Sequence, residues 1–103
     1  MKIAKSSKKT ASGIVYTGEC AFLAFFIGTD GANDPIVTIY DGIDNTGTEI
    51  MPTNPYDASV LGLNGAILKV PIMCWTGIYI EITCSGTVEV VTHYLERQNW
   101  GIG

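Results

Sequence analysis

The chain has 103 residues, of which 47% are hydrophobic and 16% charged, and its formal net charge is −4. That length holds one domain around one core and excludes a second, and the longest apolar run, Ala21 to Ile27, falls far short of the ~20 residues that span a bilayer. The charge is unevenly placed: all ten acidic residues follow Gly18, whereas Lys2, Lys5, Lys8 and Lys9, four of the six basic residues, precede Thr10. From Thr10 onward only Lys69 and Arg97 oppose the ten acids, a formal −8. Such a body repels nucleic acid and bare anionic membrane. The positive mean hydropathy points to more apolar surface than a free monomer shows, and so to assembly.

In chain order, residues 1–12 read as a flexible basic arm with no apolar pattern to fold on. A first strand is predicted at Gly13–Thr17, a turn at Gly18–Glu19 and a second strand at Cys20–Gly28, apolar on both parities and therefore central or covered on both faces. The loop Thr29–Pro35 is made of turn residues. A strand at Ile36–Asp41 then leads through GIDNTG, which has hairpin chemistry, to Thr48–Met51 pairing back upon it. Thr53–Gly62 reads as irregular, pinned by Tyr56 and Leu61, with Asn64-Gly65 as a turn, Ala66–Val70 as a strand and Pro71–Thr76 as a connection.

Gly77–Cys84 alternates cleanly, with Ile78, Ile80 and Ile82 on one face and Tyr79, Glu81 and Thr83 on the other. Ser85-Gly86 reads as a hairpin turn, and Thr87–Leu95 returns with Val88, Val90, Thr92 and Tyr94 opposing Glu89, Val91, His93 and Leu95. Residues 13–95 are thus expected to form an all-β, antiparallel two-sheet β-sandwich of seven to eight strands, jelly-roll-like or Ig-like. Residues 96–103 form a C-terminal tail that carries Trp100.

The chemical candidates are few. His93 is the single histidine, and a general base needs a nucleophile or carboxylate beside it; Glu89, four residues along the strand, is roughly 13 Å away. Cys20, Cys74 and Cys84 are odd in number and lack C-x-x-C spacing, and only His93 could join them as a zinc ligand. Asp30, Asn33 and Asp34, with Asp41, Asp44 and Asn45, offer oxygen ligands for a cation, but the EF-hand pattern fails at Ala32 and Asx residues in β-loops serve turn geometry. The expectation is no enzyme, no metal and no cofactor. Residues 2–10 lack the apolar stretch of a secretory leader, which sets the expectation of synthesis in a reducing cytoplasm with free thiols.

The lysine segment reads first as a tether into an acidic groove of a neighbouring subunit, second as a solvated tail and third as a nucleic-acid contact. Trp75 and Trp100 are the expected interface anchors.

Three phrases, FFIGTDGANDPIVTIYDG (Phe25–Gly42), NPYDASVLGLNG (Asn54–Gly65) and GIYIEITCSGTVEVVTHY (Gly77–Tyr94), cover most of residues 12–95. In these the chain resembles the small β-sandwich structural proteins of tailed bacteriophages. The resemblance implies a non-enzymatic virion component, foremost a capsid decoration or cement protein that binds and stabilises an assembled capsid. It would be made in the host cytoplasm, resident in the virion, and partnered with the major capsid protein or other virion proteins. Self-association as a dimer or trimer goes with it. The resemblance carries over no site residue, and Lys2, Lys5, Lys8, Lys9, Trp75 and Trp100 are the expected interface residues on the charge and aromatic reading alone. The alternatives are a neck or tail component and a receptor- or glycan-binding module with exposed aromatics beside Asp and Asn.

Overall fold

The computed structural model describes residues 4–55, 57–58 and 64–97, with the backbone alone at 52–55 and 64. Eight strands follow in order: β1 (Lys5–Lys9), β2 (Gly13–Thr17), β3 (Cys20–Thr29), β4 (Ile36–Asp41), β5 (Thr48–Pro55), β6 (Asn64–Cys74), β7 (Gly77–Thr83) and β8 (Val88–Glu96). They form two antiparallel sheets of four, β1-β8-β3-β6 and β2-β7-β4-β5. The expected all-β, two-sheet architecture is present, and among the described residues there is no α-helix.

Alternation builds the core. On β7, Ile78 and Ile80 are fully buried while Tyr79 and Glu81 lie on the outer face; on β8, Val88, Val90, Thr92 and Tyr94 turn inward, as the sequence period requires. β3 is central, between β8 and β6. Its apolar residues on both parities have a local cause: the register shifts between Phe22 and Ala24, so Cys20 and Phe22 point inward before the bulge, and Phe25 and Ile27 after it. The Phe22 and Phe25 rings stack 6.3 Å apart at the centre of the core, against Val37 and Ile39 of β4 and the β7 isoleucines.

Three expectations are corrected. The segment read as a flexible arm contains β1, which pairs with β8 from Lys5↔Tyr94 to Lys9↔Val90. An edge strand held by backbone hydrogen bonds at the margin of a sandwich needs no apolar pattern, and lysines are common on such edges because they discourage further pairing. Second, Pro71–Cys74 is the end of β6 rather than part of a connection. Third, Ser85-Gly86 joins strands of different sheets, so β7 and β8 are not a hairpin. His93 lies opposite Ala24 of β3 and Ser6 of β1. The expected anchors Tyr56 and Leu61 fall outside the described residues.

The chain changes sheet at every connection except β4–β5, and aspartates hold two of these passages. Asp41 accepts hydrogen bonds from the backbone N–H groups of Trp75 (3.0 Å), Thr76 (2.9 Å) and Gly77 (3.4 Å) between β6 and β7. Gly77 has φ 155° there, and a Cβ on it would come within 2.3 Å of the Tyr16 carbonyl oxygen. Between β7 and β8, Thr87 N–H donates to Asp30 at 3.2 Å, and the Gly86 backbone passes so close that a Cβ would lie 2.1 Å from the Asp30 carboxylate.

Asp41→Ala leaves three backbone donors without their acceptor and is expected to lower unfolding free energy by about 2 kcal/mol. Urea titration checks this: the midpoint should fall with an unchanged m-value, and an unaltered midpoint would show that Asp41 does not hold the passage.

Candidate interaction surface

Two described lysines of the basic segment meet acids of their own chain. Lys5 Nζ lies 3.7 Å from Glu96 and Lys8 Nζ 3.4 Å from Glu89, both acids on the neighbouring β8. The opposition of charge between segment and body is therefore expressed within one protomer along β1 and β8. The Lys8–Glu89 pair is open to solvent on both sides and contributes little, and the Lys5–Glu96 pair joins an exposed lysine to a more covered carboxylate. Lys2 and Trp100 lie outside the described residues.

Trp75 sits in the β6–β7 passage with its backbone fixed by Asp41 and its side of the turn tied down by Gly18 N–H donating to Thr76 O at 2.8 Å. The residue itself is 66% exposed. A large aromatic on a rigid turn, turned to solvent, has the form of a contact residue.

A second exposed apolar feature lies on β6, at the edge of its sheet. Ile67 is opposite Ala24 and Ile72 opposite Phe22, so Leu68 to Pro71 face Leu23 alone and bulge from the edge. Ile67 and Val70 are 75% and 77% exposed, while Leu68 turns back to pack on the core. The bulge, Lys69 and Pro71 all discourage addition of another strand.

The outer face of the same sheet continues this apolar character. Phe26, Gly28, Glu89 and Val91 line a shallow depression of about 230 Å³, and His93 packs edge-on against Phe26 with 5.4 Å between ring centroids. The other sheet differs. Its outer face sets the Tyr40 and Tyr79 rings 6.2 Å apart, with Tyr40 Oη donating to Glu81 at 3.5 Å and Asn45 Nδ2 donating to Glu81 at 3.0 Å. Burial first, then the nearby Glu81 and Glu49 carboxylates, raise the Tyr40 pKa.

The loop aspartates are engaged by the chain itself. Asp30 accepts from Ala32 N–H and Asn33 N–H at 2.9 Å and from Asn33 Nδ2 at 2.8 Å, besides Thr87 N–H. Asp34 accepts from Ala58 N–H at 2.8 Å, and Asp44 from Thr46 N–H at 2.9 Å. Among the described residues no three potential ligands gather for a metal ion. These acids serve turn geometry.

Sequence reasoning singled out Trp75, which is exposed, but not Ile67 and Val70. A regular strand would alternate their orientation, and the bulge that turns both outward has no signal beyond Pro71 at its end. Comparison of the chain with protein-family models, with curated proteins and with solved structures finds no match.

Two outcomes are expected. Backbone N–H groups of Ala32 and Asn33 hold the Asp30 carboxyl well below the usual carboxylate range. A depressed folded-state pKa stabilises above the unfolded value and is lost on acidification, so stability should fall as pH drops below about 4. Asp30→Asn should flatten that fall in urea midpoints measured across this range, and an unchanged slope would remove Asp30 from the linkage. Deleting residues 1–9 should lower the urea midpoint and promote self-association by baring the β8 edge; a truncated chain as stable and monodisperse as the full one would show that β1 is dispensable.

Proposed function

We propose that the chain is a non-enzymatic structural protein that works by docking on other proteins, in the setting of a phage virion as a capsid decoration or cement protein. The observation that carries the docking part is the exposed apolar set on rigid backbone, Ile67 and Val70 on the bulged edge and Trp75 on the Asp41-held turn. The strand order β1-β8-β3-β6 over β2-β7-β4-β5 fits two interleaved Greek keys, the jelly-roll arrangement. That arrangement is used by viral capsid domains, which supports the virion setting as a fold-level analogy. The resemblance in Phe25–Gly42, Asn54–Gly65 and Gly77–Tyr94 points the same way.

In this reading a decoration protein stabilises a shell by linkage: it binds the assembled state and shifts the equilibrium toward it. Partners are the major capsid protein or another virion protein, and further copies of the chain as a dimer or trimer. Lys5, Lys8 and Lys9 act in it by shaping the charged edge beside β8, and Lys2 and Trp100 remain proposed contacts alongside Trp75.

A second reading, a glycan-binding module, rests on the same Trp75, whose exposed indole follows directly on the edge strand beside the Asp41 turn. Jelly rolls also serve as lectin domains.

The test is co-sedimentation with shells that bear the cognate coat protein, with light scattering for the free protein. Binding at a fixed ratio per coat subunit is expected, with Trp75→Ala and Val70→Asp each weakening it at least about tenfold, the loss of an interface hot spot. A chain that ignores shells but binds a glycan array through Trp75 overturns the structural reading in favour of the second.

A further inference from the structure

Cys20 opens β3 and Cys74 closes β6, and the antiparallel register places them directly opposite one another. Both side chains point between the sheets, both are fully buried, and both are free thiols. Opposed residues of an antiparallel pair have Cα atoms about 4.5 or 5.5 Å apart, according to the type of pair. A disulfide takes Cα separations of roughly 4.4–6.8 Å, so either geometry admits the bond without moving the strands. The two thiols lie close enough to perturb one another, and Cys74 Sγ also donates to Ile72 O at 3.9 Å. The hydrogen bond between the thiols lowers the Cys20 pKa, while that bond and burial raise Cys74.

We propose that Cys20 and Cys74 are the two halves of an intrachain disulfide, closed by thiol–disulfide exchange when the protein meets a small-molecule disulfide, that staples edge strand β6 to central strand β3. This holds whether or not the chain docks on a shell. In the first step the Cys20 thiolate attacks one sulfur of oxidised glutathione, forming a mixed disulfide and releasing one glutathione thiolate. In the second, the Cys74 thiolate attacks the Cys20 sulfur and releases the other. Two electrons pass to the glutathione disulfide, and the two protons given up by the cysteines end on the released thiols.

Burial makes the reaction slow rather than forbidden. β6 is hydrogen-bonded on one side only, and its bulge separates Ile72, Met73 and Cys74 from the rest of the strand. That short ladder, facing Cys20 to Phe22, can open as a unit while the turn beyond it stays held by Asp41. Cys84 is a built-in control. It lies at the opposite end of the sandwich, partly exposed, with its Sγ donating to Asn33 O at 3.7 Å, and has no cysteine across from it.

The experiment exposes the full reduced chain to buffers of reduced and oxidised glutathione in two ways: as native protein, and during refolding from urea, where burial cannot block access. Alkylation, intact mass and peptide mapping follow. Expected is a monomer lighter by two hydrogens, with the Cys20 and Cys74 peptides linked and Cys84 alkylated, unchanged in a Cys84→Ala variant. In the native arm, closure should quicken in urea below the unfolding transition. Tm should rise by on the order of 10 °C and return on adding dithiothreitol. A refolded chain that keeps three alkylatable thiols under excess oxidised glutathione overturns the proposal, as does a link that involves Cys84 or joins two chains. The peptide map decides this without relying on any cysteine variant that fails to fold.

Discussion

The arrangement rests on how a chain that keeps passing from one sheet to the other satisfies its backbone at each passage. Turns between sheets cannot use ladder hydrogen bonds, yet their N–H groups lie at the ends of a packed core where an unpaired donor is costly. Asp41 and Asp30 answer this at two passages. One receives the N–H groups of Trp75, Thr76 and Gly77, and the other gathers Ala32, Asn33 and Thr87. Each carboxylate thereby ties a loop to a strand end distant in sequence. Glycine is required at both passages, where Gly77 runs against the Tyr16 carbonyl and Gly86 against the Asp30 carboxylate. The acid-rich loops, which from composition could suggest cation binding, are fastenings.

What the sequence revealed and what it hid divide along the same physical line. The strands β7 and β8, whose inner residues alternate with more exposed ones, were legible to within a residue or so of their observed bounds because burial imposes a period of two, and β2 and β4 because turn residues bracket short β-branched and aromatic runs. β1 was invisible, since its pairing uses backbone groups and its side chains face solvent or the sandwich margin. The length of β6 was hidden by Pro71 and the bulge. Ser85-Gly86 has the residues of a tight turn, and turn chemistry says nothing about which sheet receives the next strand. Of the interaction surface, Trp75 could be named in advance because an aromatic in a Pro- and Gly-flanked segment is conspicuous. Ile67 and Val70 could not, because their exposure depends on a register shift.

The two sheets also differ in character. Every described basic residue, Lys5, Lys8, Lys9, Lys69 and Arg97, belongs to the β1-β8-β3-β6 sheet or directly follows it. The β2-β7-β4-β5 strands carry Asp41, Glu49 and Glu81 and no base among their described residues. The first sheet pairs this cationic share with an apolar outer face around Phe26 and Val91, and the second presents tyrosines among carboxylates. One molecule therefore offers two chemically distinct broad surfaces, and the exposed apolar residues Ile67 and Val70 lie at the rim of the first.

The pairing of β1 with β8 sets a timetable for synthesis. As the chain leaves the ribosome, Lys8 must wait 81 residues for Glu89 to emerge, and β1 has no other neighbour in its sheet. The sheet closes only once β8 has emerged, and topologies built on such distant pairings fold slowly. Throughout that wait the strand most open to pairing with the wrong chain is a lysine- and serine-rich one, which water holds comfortably. Its polarity, unhelpful to the core, protects the nascent chain from its neighbours on the same message.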